Sequence, residues 1–238
     1  MALILNIETS TTVCSVCISK DGIVQSYRES HDEKTHAKQL TVFIDEIVKE
    51  QKLKFKDFDA IAVSMGPGSY TGLRIGVSTA KGLCYAKDIP LIAINTLQSL
   101  ANGIVSKVKN NDLNIEGFKE AILVPMIDAR RMEVYSSFFN SNAKTTREIK
   151  AEIIDENSYQ DILVKKQMIF FGDGSAKIAG TITHKNAIFI ENINTSSLTM
   201  ASLSKEAFKK NEFVDVAYFE PFYLKDFVAT IPKKNIFK

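Results

Sequence analysis

Gly66-Pro67-Gly68-Ser69-Tyr70-Thr71-Gly72-Leu73-Arg74-Ile75-Gly76 is the stretch whose residue types and spacing are best suited to chemistry. A glycine-rich turn that follows a strand and opens a helix aims backbone N–H groups and the positive helix end at one point, which suits an anion. The run departs from both phosphate-loop patterns. G-x-x-x-x-G-K-[ST] needs a lysine and a glycine spacing that are absent, and G-x-G-x-x-G needs glycine where Thr71 stands. Pro67 removes a further N–H donor. Spacing suggests a different use. Gly72, Gly76 and Ala80 recur every four residues, so a helix sets them on one face. Glycine inside a helix costs about 0.5–1 kcal/mol relative to alanine, and close approach of another segment would offset that. The segment belongs either to the chain's own interior or to another subunit.

Other candidates are weaker. Glu8-Thr9-Ser10-Thr11-Thr12 lies between the first two strands. The hydroxyls of Thr9, Ser10 and Thr11 are suited to a weak anion or nucleotide contact, although turn propensity alone accounts for them. Cys14 and Cys17 have the C-x-x-C spacing of redox and zinc sites. They fall on a strand, where i and i+3 point to opposite faces, and no second C-x-x-C completes a zinc site. His31, His36 and His184 fit no metal-pair spacing. Gly172-Asp173-Gly174-Ser175 reads as a strand–helix turn, with an adenosine-binding loop as the alternative. Neither a nucleophile–histidine pair nor a metalloprotease motif is visible, so no catalytic and no metal-ligating residue is assigned.

The elements that would position these residues follow a repeated order. Ala2 to Ile7, Val13 to Ile18 and Ile23 to Tyr27 read as strands, with Asp21-Gly22 as a turn. Thr35 to Lys52 has helical spacing of Ala37, Leu40, Phe43, Ile44, Ile47 and Val48. Ala60 to Ser64 and Leu91 to Ile94 read as strands, and Thr71 to Ala86 and Thr96 to Val108 as helices, the first capped by Ser69 or Thr71. After a polar connector at Lys109 to Asp112 the order restarts. Ala121 to Ile127, Val134 to Phe139 and Arg147 to Ile154 read as strands. Helix Ser158 to Lys166, strand Met168 to Phe171, helix Ser175 to Thr183, strand Ala187 to Ile190 and helix Leu198 to Lys210 complete the second copy. Two β-β-β-α-β-α-β-α units predict an α/β, two-lobed fold of the actin, Hsp70 and sugar-kinase (ASKHA) type. Residues 1–108 form the N-terminal lobe and 109–238 the C-terminal lobe, with the tail 213–238 able to pack back on the first. Phosphotransferases of this architecture carry aspartate and glycine in the first turn, to hold metal and phosphate. Glu8 and a glycine-free turn stand there instead.

Composition sets the class. Hydrophobic residues at 45% and charged residues at 24% are the mix of a chain with a real core. No apolar run approaches the ~20 residues of a membrane span, and Met1 to Asn6 lacks the features of a signal peptide. Three cysteines cannot pair fully, which fits a reducing compartment, so a cytoplasmic protein is expected. Lys+Arg 30 against Asp+Glu 28 gives a formal charge of +2, without the basic stripe of a protein that grips nucleic acid alone. Lys233, Lys234 and Lys238 form a basic cluster read as a solvated tail.

The run Gly66 to Gly76, followed by Ala80-Lys81-Gly82-Leu83, resembles the signature of the TsaB (YeaZ) family. Ile7-Glu8-Thr9-Ser10 resembles that family's I-D-T-S, and His36 matches its histidine. Asp128-Ala129-Arg130-Arg131-Met132-Glu133-Val134-Tyr135 resembles D-A-R-x-x-E-V-Y. Glu220-Pro221-Phe222-Tyr223-Leu224-Lys225 resembles E-P-x-Y-L-R. Glu8 for aspartate and Lys225 for arginine are departures. The resemblance implies a two-lobed, non-catalytic scaffold and activator of TsaD, the larger relative that transfers threonylcarbamoyl to the adenosine beside the anticodon of tRNA. It further implies the ATPase TsaE as a partner, a homodimer when alone, tRNA contact through the complex, no membrane, and no intrinsic cofactor, ATP and metal residing on partner subunits. First-lobe helices make the family's contact, which points to Gly72, Arg74, Gly76, Ala80 and His36 as partner-binding residues. On that basis Gly76→Leu is expected to abolish partner binding and leave the monomer folded. A sugar-kinase-type, ATP-dependent phosphotransferase is the alternative function, and the glycoprotease label the family has carried finds no support in these residues.

Overall fold

The computed structural model describes residues 1–32 and 36–225. Thr35 and the lysines at 233, 234 and 238 lie outside the described residues. The first apolar run forms β1 (Leu3–Glu8), buried at every residue after Leu3. β2 (Cys14–Lys20) and β3 (Ile23–Ser30) follow as an antiparallel meander. α1 (His36–Glu50) crosses to β4 (Ala60–Gly66), parallel to β1. α2 (Tyr70–Lys87) crosses to β5 (Leu91–Asn95), parallel to β4, and α3 (Thr96–Lys109) ends the half. The sheet order is β3-β2-β1-β4-β5.

The second half repeats that plan. β6 (Ile122–Asp128), β7 (Glu133–Phe139) and β8 (Thr145–Ile153) form the meander, and β9 (Met168–Phe171) and β10 (Ala187–Ile190) run parallel to β6. Read from the same end, the order β8-β7-β6-β9-β10 matches the first sheet strand for strand. The duplicated, two-lobed α/β architecture is therefore the observed one.

The crossovers of the second copy depart from expectation. Ser158 to Lys166 contracts to a single turn, α4 (Gln160–Leu163), because Ser158 is held in a side-chain turn with Asp155 and Tyr159 sits at φ +62°. Ser175 to Thr183 is only a 3-10 turn, Ala176–Ile178. Gly180 and the β-branched run Thr181-Ile182-Thr183 give that segment low helix propensity. Leu198 to Lys210 divides into a 3-10 turn, Ser197–Met200, and α5 (Ala201–Lys209).

Packing redistributes the elements between lobes. α1 and α2 cover one face of the first sheet, with Leu40, Ile44, Ile47 and Val77 against Leu5, Ile7, Val16 and Val63. α3 buries Leu97, Leu100 and Ile104 on Leu123, Phe139 and Phe171 of the second sheet. The helix expected in the C-terminal lobe, α5, instead closes the other face of the first sheet, where Met200 and Ala207 meet Ile4, Ile92 and Ile94. Each half thus lends its last helix to the opposite sheet. Beyond α5 the described chain runs along the first lobe as far as Phe222. Val214 pairs with Leu91, Lys81 Nζ donates to the carbonyls of Ala217 and Phe219 at 3.1 and 2.9 Å, and Phe222 N–H donates to Met65 O at 2.7 Å. No helix among the described residues is long and apolar enough to cross a membrane.

Candidate functional site

β1, β4 and α2 bring the turn after Glu8 and the glycine-rich segment together. Thr9 Oγ1 donates to Gly72 O at 2.8 Å, and Ser69 N–H donates to Ser10 O at 2.6 Å. A Cβ on Gly68 would stand 2.2 Å from Ser10 O, on Gly72 2.1 Å from Thr9 O, and on Gly76 2.2 Å from Thr9 Oγ1. These approaches are closer than any side chain tolerates, and all are to the chain's own backbone or to the buried Thr9. Gly72 and Gly76 therefore seat α2 on the first turn, and Ala80 is buried in the core beneath. The flank read as a partner surface is an internal one. His36 is likewise buried, with Nε2 3.2 Å from Val13 O. Of the five residues singled out for partner contact, Arg74 alone is exposed.

The same contacts close the first turn to an anion. Ser10 O occupies the Ser69 N–H and the Ser69 hydroxyl caps Gly72 N–H at 3.3 Å, so two of the donors at the start of α2 are taken by its own chain. Thr9 Oγ1 is spent on Gly72, and Thr11 Oγ1 shares a 2.6 Å hydrogen bond with Thr195 Oγ1. Ser10 Oγ is buried without a partner, yet Gly68 lies directly over its residue. At the expected weak anion contact, then, all three residues are buried and the Thr9 and Thr11 hydroxyls are already engaged within the chain. Gly172-Asp173-Gly174-Ser175 is closed in the same way. Cβ atoms on Gly172 and Gly174 would stand 2.3 Å from Met126 O and 2.8 Å from Ile127 C.

Glu8 is fully buried at the end of β1. Its Oε1 accepts the Ser10 N–H at 2.7 Å, while Oε2 has no partner. Burial pushes its carboxyl above the usual range, and the neighbouring polar groups of Ser10, Ser64 and Thr9 pull it back only in part. The folded state then holds the proton more tightly than the unfolded state. Stability from this group is complete below the unfolded value near 4.5 and is lost as pH rises through the raised folded value. Glu8→Gln keeps the shape and removes the ionisation. Thermal unfolding between pH 5 and 9 should show the wild type losing stability with rising pH and Glu8→Gln losing less. Parallel profiles would show that Glu8 is ionised as folded.

The cysteines supply no redox chemistry. Cys14 faces the α1 core while the Cys17 thiol donates to Ser197 O at 3.2 Å on the other face. Burial pushes Cys14 up to about 11 and Cys17 and Cys84 up to about 12, so all three remain thiols. Among the described residues no three His, Cys, Asp or Glu side chains converge on a metal position.

What α2 leaves bare is its opposite flank. Thr71, Arg74, Ser78, Gly82 and Tyr85 are exposed, Tyr85 to 85%, and a Cβ on Gly82 meets nothing within 4 Å. The chain beyond α5 borders this flank. Tyr223 lies against Tyr70, ring centroids 4.7 Å apart, and the Arg74 guanidinium is 4.8 Å from the Tyr70 ring centre. The sequence signal was present but unread, for Ser78, Gly82 and Ala86 also recur every four residues.

Comparison with known proteins places this geometry. The family model for TsaD, tRNA N6-adenosine threonylcarbamoyltransferase, matches residues 23–233. The tRNA threonylcarbamoyladenosine biosynthesis protein TsaB of Escherichia coli is 27% identical over 239 residues, covering 95% of this chain and 96% of that protein. TsaB of Buchnera aphidicola from Schizaphis graminum is 32% identical over 180 residues, covering 74% of this chain and 80% of its own. The fold of YeaZ from Pseudomonas aeruginosa superposes with a TM-score of 0.78 at 21% identity, covering 94% of this chain and 100% of that one. With its motifs distributed along the whole length, the chain belongs to the TsaB (YeaZ) family of tRNA threonylcarbamoyladenosine biosynthesis proteins, which shares a family model with TsaD.

Proposed function

We propose that this chain is a non-catalytic scaffold and activator in tRNA threonylcarbamoyladenosine formation, and that it docks on a TsaD subunit through the outer flank of α2. The observation that carries the docking is Gly82. It costs the helix about 1 kcal/mol relative to alanine, and among the described residues nothing comes within 4 Å of a Cβ there to offset that cost. With Ser78 beside it and the exposed Tyr85 one turn away, it lets another backbone come close and leaves an aromatic anchor at the contact. A second copy of the chain uses the same surface when TsaD is absent. Assembly with the ATPase TsaE, contact with tRNA inside the complex, ATP and metal on the partner subunits, and a place in the cytoplasm complete the reading.

The filled first turn supports this role over a sugar-kinase-type phosphotransferase. A phosphate needs the N–H groups that Ser10 O and the Ser69 hydroxyl already occupy. The chain would act by favouring one conformation of TsaD, which requires stronger contact with that state than with its alternative. The test is a reconstituted reaction of TsaD, TsaE, tRNA, ATP and threonylcarbamoyl donor, with product counted in the tRNA. Leaving out the chain should lower product at least ~10-fold, the effect of about 1.4 kcal/mol of coupling, and the chain alone should make none. Equal product without the chain, or nucleotide turnover by the chain alone that Glu8→Gln abolishes, would refute the assignment.

A further inference from the structure

The β6–β7 hairpin carries a feature that the docking helix does not explain. Its tip, residues 129–132, is closed by Ala129 N–H to Glu133 O at 3.1 Å and Glu133 N–H to Arg130 O at 3.2 Å. Arg130 and Arg131 sit side by side at φ +71° and +52°, both exposed. Two carboxylates of the same hairpin, Asp128 and Glu133, are natural partners for them. Neither is used in that way. Lys177 pairs with Asp128 and also donates to Glu133 O at 2.6 Å, and Lys225 pairs with Glu133. The Asp128 carboxylate further accepts the Arg130 backbone N–H at 2.7 Å, and Asp173 Oδ1 accepts the Asp128 N–H at 3.1 Å behind the tip. Neither guanidinium has a hydrogen-bond or ion-pair partner among the described residues. The acids that would quench the arginines are instead drawn back to two lysines, from the turn after β9 and from the segment beyond α5.

We propose that Arg130 and Arg131 form a phosphate-contact point for RNA. The alternative is an acidic protein surface, and the tip is ill suited to it. Its largest apolar side chain, Met132, is 39% exposed, and with Ile153 on the neighbouring strand it makes only a two-residue apolar patch, whereas protein interfaces need an apolar core that excludes water. Phosphate contacts work in water through charge and counterion release, and guanidinium forks match phosphate oxygens in pairs. The anchorage by Lys177 and Lys225 fixes the backbone on which the forks stand. Two contacts on a chain of formal charge +2 do not make a strong RNA-binding protein by themselves. They fit an accessory contact that positions RNA held mainly elsewhere. This inference deepens the scaffold reading, since it gives the chain its own touch on the tRNA.

The test is fluorescence anisotropy of a labelled, unmodified tRNA transcript titrated with the full chain alone at low salt, repeated from 20 to 150 mM. The double variant Arg130→Ala/Arg131→Ala should bind roughly 5- to 20-fold more weakly at the lowest salt, with a salt slope shallower by about 1.4–1.8, the value of two phosphate contacts. Circular dichroism checks that the variant is folded, and Arg130→Lys/Arg131→Lys should recover most of the salt slope. RNA affinity and slope equal to the wild type in the folded Ala variant would overturn the proposal. So would no RNA binding by the wild type, or binding of a poly-glutamate peptide that the variant loses while RNA binding persists. A separate titration with TsaD keeps the two readings apart. The hairpin variant should bind TsaD as the wild type does, and failure of the wild type to bind TsaD would count against the docking helix and leave the RNA result standing.

Discussion

Gly76→Leu should unfold or strongly destabilise the monomer rather than only disconnect it from a partner. A leucine there must pass Thr9 Oγ1, which already stands 2.2 Å from the position of a Cβ. Thr9 cannot yield freely. It is buried, its hydroxyl donates to Gly72 O, and its N–H reaches Ser64 Oγ at 3.3 Å. Overpacking at such a site costs typically 1–3 kcal/mol and sometimes more, and the helix propensity gained on losing glycine returns only about 1 kcal/mol. A net loss of about 2 kcal/mol is expected, and more if Thr9 does not shift, a fall in Tm of about 4–8 °C or greater for a chain of this size. A double-mutant cycle isolates the cause. Gly76→Ala alone should destabilise by up to about 2 kcal/mol once its helix propensity is counted, and adding Thr9→Ala should restore part of that, because the nearest remaining atom, the Thr9 Cβ, is 3.4 Å away. Strict additivity of the two changes would mean that Thr9 is not what Gly76 accommodates.

Gly82→Arg should do the opposite. The position is exposed and open, and arginine is a far better helix former than glycine, so Tm should hold or rise slightly. Binding is where the effect falls. If another helix closes on Gly82, an arginine blocks its approach and leaves a charge to be buried without a partner. A loss of about 2–4 kcal/mol corresponds to roughly 30- to 1000-fold in Kd. The two glycines lie within two turns of one helix and predict separate phenotypes, stability for Gly76 and association for Gly82. Sedimentation of the isolated chain should show the same division, with self-association lost in the folded Gly82→Arg protein and kept by any Gly76→Ala protein that remains folded.

Those phenotypes show what the amino-acid order made legible. The duplicated order of elements was readable because buried parallel strands are continuous apolar runs, such as Ile61-Ala62-Val63 and Ile169-Phe170-Phe171. The helical crossovers of the second copy are shorter than periodicity predicts, because periodicity does not register the Ser158–Asp155 turn with Tyr159 at positive φ, or how Gly180 and a β-branched run stop a helix. The alternation that separated Cys14 from Cys17 was readable, since a strand has only two faces. The glycine flank was identified as a surface needing close approach, but spacing on one helix carries no information about which chain approaches. That depended on Thr9, more than sixty residues away and brought close by β1 lying parallel to β4. Likewise α5 on the first sheet follows from tertiary packing between its Ala207 and Ile4 or Ile92, pairs without any local signature.

Calorimetric titration of TsaD with the wild-type chain and with Gly82→Arg, both verified as folded, tests whether the outer flank of α2 is the docking surface. The wild type should bind saturably and the variant with at least a 30-fold weaker Kd, about 2 kcal/mol. Binding of folded Gly82→Arg with the wild-type constant would contradict that expectation, since the bare flank of α2 would then not be where the partner docks.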